Sequence, residues 1–257
     1  MRIIRYQYRD QPPAVGWVHG DKIGPVEGDL FGDFRRMEAS IPLEEVRLLT
    51  PVKAGKIICV GRNYAAHARE HDAEVPDIPL LFLKPPSALI GHDAAIRLPP
   101  QSQRVEHEAE LAVVIGKTGR WINMQDAHQH IFGYTVANDV TARDLQRLDL
   151  QWTRAKGFDT FCPLGPWIET DFDPADAVIR CRVNGDMRQM ASTRDMVFTV
   201  RHLIAFASSI MTLEPGDVLL TGTPAGVGPL LPGDTVEVSI EGLGVLRNPV
   251  EAEDRIL

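Results

Sequence analysis

Two glutamates stand two residues apart in VEHEAELAVVIG: Glu108 and Glu110. The window reads as a β-strand, and side chains two apart on a strand share a face. Their Cα atoms would lie about 6.7 Å apart, close enough to converge on one cation. The strand continues into LAVVIG, which reads as buried. Two buried carboxylates without a positive partner would cost several kcal/mol. Asp139, which ends the apolar stretch IFGYTVAND, is a candidate third ligand. Three carboxylates with no cysteine beside them suit a hard cation, Mg²⁺ or Mn²⁺ before Zn²⁺. Spacing alone leaves a second reading open, a solvated strand face.

A second constellation is His67 and Glu70 in GRNYAAHARE. Asn63 is placed to cap a short helix there. Residues three apart on a helix lie on one side. A carboxylate orients an imidazole and raises its basicity, which suits a general base acting on water. An exposed surface pair is the alternative. Lys156 lies among aromatics and turns in WTRAKGFDTFCPLGPW. It could offset the charge of a developing enolate or bind a carboxylate, or it could be a surface lysine. TGTPAGVG (221–228) offers hydroxyls and glycines that let a ligand approach the backbone. It has no P-loop lysine, so nucleotide binding is not expected.

The elements that must hold these groups are mostly strands. KIICVG, LLFLKP, ELAVVIG, HIFGYTVAND, VIRCRVNG, DVLLTG and TVEVSIEG have strand patterning. STRDMVFTVRHLIAFASSIM turns helical at its end, with Leu203, Phe206, Ile210 and Met211 near helical spacing. Regular strand–helix alternation is missing, so a Rossmann sheet or an α/β barrel is a poor fit. Residues 1–50 read as short strands and turns, giving a small N-terminal β-rich domain before a domain spanning 51–257.

The 257 residues carry 27 basic and 35 acidic side chains, a net charge of −8. That balance argues against a nucleic-acid or anionic-membrane partner. Cys59, Cys162 and Cys181 are odd in number and widely spaced. They form neither a disulfide framework nor a zinc motif. No apolar run approaches the roughly 20 residues of a membrane helix. The expectation is a soluble, cytoplasmic protein.

In order along the chain stand GRNYAAHARE, LFLKPPSALIG, VEHEAELAVVIG, GYTVANDVTARDLQ, WTRAKGFDTFCPLGPW, VNGDMRQ, MTLEPGDVLLTGTPAGVGPL and IEGLGVLRNPV. This succession, from about residue 55 to 250, resembles the fumarylacetoacetate hydrolase family. The resemblance implies an α+β, strand-dominated fold, a mixed β-roll or sandwich, assembled as a homodimer. It implies that Glu108, Glu110 and Asp139 bind Mg²⁺ or Mn²⁺. It implies that His67 and Glu70, on a lid helix, activate water, and that Lys156 faces the substrate. Arg143, Gln146 and Thr223 would contact the pyruvyl end of a 2-oxo acid. Gly61 and Gly91 become candidate lid hinges.

The first functional expectation is hydrolysis of the C3–C4 bond of acylpyruvates such as fumarylpyruvate or acetylpyruvate. The products would be pyruvate and a carboxylic acid. The second is an isomerase of 2-hydroxyhepta-2,4-diene-1,7-dioate or an oxaloacetate decarboxylase on the same scaffold. The third is a non-catalytic, metal-dependent binding module.

Overall fold

The computed structural model describes residues 1–254. The run AELAVVI forms the strand Ala109–Ile115, buried at every position. Ala109, Leu111, Val113 and Ile115 face one apolar core, while Ala112 and Val114 face another. A strand covered on both sides needs a continuous apolar sequence, which explains why this run does not alternate. Glu110 shares the face of Ala112 and Val114, and its cross-strand neighbour is Ala137. A small residue there leaves room for a carboxylate.

This strand lies inside a large sheet that, among the described residues, joins thirteen strands. It pairs antiparallel with Ile131–Asn138 and with Val218–Leu220. Ile57–Gly61 runs parallel to Val218–Leu220, and Leu80–Lys84 pairs antiparallel beyond it. On the other side, Ile131–Asn138 pairs with Cys162–Glu169, and that strand pairs with Arg2–Tyr8. The N-terminal strands are therefore laid on the same sheet as the central ones. A five-stranded sheet, with Ile96–Leu98 and Asp186–Ser192 as its edge strands, packs against it, and a small third sheet holds Val105–His107.

The helix Val200–Ile210 starts at Thr199, whose hydroxyl accepts the His202 N–H. Its buried face is Val200, Leu203, Ile204 and Ala207. Of the expected apolar positions only Leu203 lies fully in that face, and Ile210 is exposed. The strand Cys162–Glu169 escapes a propensity reading because Pro163, Gly165 and Pro166 look like a turn. Among the described residues no helix is long and apolar enough to cross a membrane.

Candidate active site

The sheet's directions bring the chemistry to one end. Ala109–Ile115 begins there, while Ile131–Asn138, Val218–Leu220 and Ile57–Gly61 end there. Glu108 and Glu110, then Asp139, then Thr221–Thr223, and then the segment leading to the helix Ala65–Glu70 follow from those strand ends. Oxygens of Glu108, Glu110 and Asp139 lie within 4.8 Å of one another, and all three side chains are buried. The expected alternation holds for Glu110 only. Glu108 lies in a break between the strands Val105–His107 and Ala109–Ile115. Asn138 Oδ1 accepts the Glu108 N–H there, at 2.9 Å.

Each buried acid has a different compensation. Lys156 Nζ donates to Glu108 at 2.8 Å and to Asp139 at 2.7 Å. Arg143 spans Glu108 and Glu106. Lys84 Nζ donates to the other oxygen of Asp139 at 2.6 Å and to the carbonyl of Val140. Burial opposes the ionised form of Glu108, but Lys156 and Arg143 outweigh it and hold that carboxyl below the usual range. Burial likewise opposes the charge on Lys156, and Asp139 and Glu108 reverse the effect, so its ammonium stays protonated.

Glu110 is the exception. Its recorded hydrogen bond comes from the backbone N–H of Gly222, at 2.6 Å. No ion pair reaches it among the described residues. Burial, reinforced by Asp139 and Glu108, pushes its carboxyl well above the ordinary value. A divalent cation fits this donor set: three converging hard oxygens, one of which lacks a positive partner. Gly222 is required for the approach. Its φ is +96°, and a Cβ there would stand 2.7 Å from that of Asn63.

His67 and Glu70 do meet, with Nδ1 and Oε2 at 3.4 Å. Glu70 also accepts the N–H of Gly226, which ties the short helix to the TGTPAGVG loop. Because a carboxylate only accepts, Nδ1 carries the proton and Nε2 keeps the lone pair. Burial lowers the imidazole pKa more than Glu108 raises it, so His67 is neutral near pH 7. His71, one turn on, packs edge-on to it with ring centroids 4.7 Å apart. Asn63 does not cap the helix, whose N-cap is Tyr64. Instead its buried amide donates to the carbonyls of Phe198 and Thr221 and accepts the Phe198 N–H. Those three bonds tie the segment before the helix to the chain at Phe198 and Thr221. Gly61 and Gly91 have packing roles. A Cβ on Gly61 would touch Trp152, and one on Gly91 would strike the backbone of Leu49 and Thr50.

These groups line one cavity of about 240 Å³, with Arg143, Gln146, Thr223, Phe82 and Trp152 in its wall. All nine residues given a catalytic, substrate-binding or metal-binding role from the sequence come to it or to its immediate border. Glu70 reaches it through His67, whereas His67, Glu108, Glu110, Asp139, Arg143, Gln146, Lys156 and Thr223 line it directly. The sequence reading missed Lys84, although a lone charge ending an apolar strand is the same signal that marked Asp139. It also missed Glu106, buried and paired with Arg143 and Arg104. Arg62 and Arg147 stand exposed at the cavity wall.

Residues 56–251 match the family described as Fumarylacetoacetate (FAA) hydrolase C-terminal, and residues 1–51 match Rv2993c-like, N-terminal. A mitochondrial oxaloacetate tautomerase of Bos taurus is 49% identical over 223 residues, covering 82% of this chain and 71% of that protein. The structure of 2-hydroxyhepta-2,4-diene-1,7-dioate isomerase from Mycobacterium marinum superposes with a TM-score of 0.91 at 44% identity, covering 99% of this chain and 100% of that one. Maleylpyruvate hydrolase from Sphingobium sp. SYK-6, solved with manganese(II) and pyruvate, gives 0.83 at 35% identity, with the same coverage. The strand-dominated α+β architecture, the carboxylate cluster and these likenesses agree: the chain belongs to the fumarylacetoacetate hydrolase family.

Proposed function

We propose that the protein is a divalent-metal-dependent enzyme that moves a proton at C3 of a short 2-oxo acid, interconverting keto and enol forms of the oxaloacetate class. The observation that carries this reading is geometric: one small cavity is lined by a buried His67 held at Nδ1 by Glu70 and by Lys156 held between two carboxylates. One group can take a proton and the other can only offset charge. The cavity lies below the roughly 300 Å³ at which drug-sized sites begin, so it suits a compact molecule. Arg62 and Arg147 have no acidic partner among the described residues and suit a second carboxylate. Arg62 also holds a left-handed φ of +58°, a conformation that persists in bulky residues where the surroundings enforce it. The likeness to an oxaloacetate tautomerase supports the same substrate class.

Glu108, Glu110 and Asp139 would hold Mg²⁺ or Mn²⁺. When bound, the cation supplies Lewis-acid stabilisation of negative charge on the 2-oxo oxygen. His67 Nε2 accepts the C3 proton and returns it to the enol oxygen or to carbon. Glu70 orients the ring through Nδ1. Arg143, Gln146 and Thr223 bind the carboxylate end, and the Lys156 ammonium offsets the developing charge. Residues 1–50 act as a support on the outer strands of the sheet, apart from the chemistry. Leu80–Lys84 ends the large sheet and shows Leu83 to solvent beside Ile210, an apolar edge suited to a second copy. The assembly is a homodimer, and sedimentation at micromolar concentration should give twice the chain mass. A monomer would remove that assignment.

Hydrolysis of acylpyruvates is the second reading, favoured by the His67–Glu70 contact, which suits activation of water. The two are separated by supplying enolic oxaloacetate or acetylpyruvate with Mg²⁺. Loss of the enol absorbance without cleavage supports tautomerisation; release of pyruvate and acetate supports hydrolysis. His67→Ala should lower the proton-transfer rate 10²- to 10⁴-fold. The rate needs the neutral imidazole, so it falls as pH drops through the His67 pKa. Burial places that midpoint below the ordinary 6.5. Glu70→Gln removes a contact that raises the pKa, so the acid limb should move lower still. An acid limb at or above 6.5 that ignores Glu70→Gln would exclude His67 as the base.

A further inference from the structure

Gln189 lies in the motif VNGDMRQ, on the edge strand Asp186–Ser192 of the second sheet, and is 1% exposed. Its side-chain amide makes four hydrogen bonds. The Ala109 N–H donates to Oε1 at 3.0 Å, and His107 Nδ1 lies 3.0 Å from the same oxygen. Nε2 donates to the carbonyl of Pro224 at 2.8 Å and to Thr223 Oγ1 at 2.8 Å. The backbone partners settle which atom is which. An N–H faces one end of the amide and a carbonyl faces the other, so a flipped amide would break both bonds.

That orientation fixes two protons elsewhere. Oε1 only accepts, so His107 carries its proton on Nδ1. Nε2 only donates, so the Thr223 oxygen is the acceptor in their bond. Thr223 therefore keeps its own hydroxyl proton. Thr223 donates to no other atom among the described residues, and its side chain lines the cavity. The same amide grips the backbone of Ala109, the residue between Glu108 and Glu110. We infer that Gln189 is a positioning residue: it turns the Thr223 hydroxyl into a donor aimed at the carboxylate of a bound 2-oxo acid, while fixing the strand start that presents the acidic cluster. The inference rests on reading the cavity as a 2-oxo acid site.

The substitution Gln189→Glu keeps the shape and removes both donors. A carboxylate at this position accepts the Thr223 proton, so the hydroxyl presents lone pairs to the ligand. Calorimetry of oxalate binding to the Mg²⁺-loaded protein reads the effect. Gln189→Glu should weaken oxalate about tenfold or more, the scale of a lost hydrogen bond to a charged group. In a Thr223→Val background, where no hydroxyl remains to be turned, the same change should cost no more than about twofold. A loss that is additive in the double variant, or absent in the single one, overturns the inference. If Gln189→Glu does not fold, Gln189→Met enters the same cycle with the same requirement of coupling. If the wild type with Mg²⁺ fails to bind oxalate at all, the 2-oxo acid reading fails. The Gln189 geometry is then decided by NMR. Side-chain amide protons of Gln189 that exchange slowly, and faster in Thr223→Val, support the bond; exchange at the solvent rate in the wild type overturns it.

Discussion

Glu110→Gln should raise the unfolding temperature of the metal-free protein and erase its response to magnesium. Glu110 is buried beside two other carboxylates, and its recorded partner is the Gly222 amide rather than a cation. Ionised, it repels Asp139 and Glu108; protonated, it has taken up a proton against the ordinary preference of a carboxyl near pH 7. Glutamine keeps the acceptor for Gly222 and removes the repulsion. A gain of roughly 1–2 kcal/mol corresponds to about 2–8 °C in a chain of this size. Magnesium at a hundred times its dissociation constant stabilises the wild type by about 2.7 kcal/mol. The variant should lose that increment together with turnover. Thermal unfolding with and without Mg²⁺ gives both readings. A variant that is still stabilised by magnesium would place the cation elsewhere. A metal-free variant less stable than the wild type would mean that Glu110 is already compensated.

Lys156→Met has the opposite sign. Its ammonium touches Glu108 and Asp139 and stands over the Phe82 ring, 4.9 Å from the ring centre. Removing one partner of a buried ion pair costs about 3–5 kcal/mol, because the remaining charges stay buried. The metal-free variant should unfold roughly 10 °C lower, from the usual 2–4 °C per kcal/mol. Saturating Mg²⁺ should recover part of the loss by supplying the missing positive charge. Turnover should nevertheless stay down by about 10²–10³, the scale of a lost electrostatic contact to a developing negative charge. Recovery of stability without recovery of rate identifies Lys156 as part of the chemistry. Recovery of both would reduce it to a structural counterion.

These expectations depend on groups that the sequence showed unequally. The run from Ala109 to Ile115 was legible because a strand buried on both faces has little choice but a continuous apolar sequence. Glu110, Asp139 and His67 could be found by spacing and type. The position of Glu108 in a break between strands could not, because a local kink leaves no periodic trace. Lys84 was visible as a charge closing an apolar strand, yet only the fold puts it within 2.6 Å of Asp139. Gln189 and Asn63 were opaque for a different reason. Their partners lie 34 to 158 residues away, and nothing in the motif NGDMRQ or GRNY announces a buried, fully bonded amide. The wall of Cys162–Glu169 was hidden by prolines and a glycine that normally mark turns.

The pairing of Ile3 with Ile168 bears on how the chain is made. The first strands can form their own meander early, since Arg2–Tyr8 also pairs with Ala14–His19. Their seat on the large sheet is synthesised about 165 residues later, roughly 10–30 s at ordinary ribosomal speed. During that interval Ile3 lacks the central apolar residues it packs against, whereas Ile4 has its N-terminal neighbours. Nascent chains stalled before residue 160 should therefore engage holding chaperones, and release should coincide with emergence of the segment 162–169 from the exit tunnel.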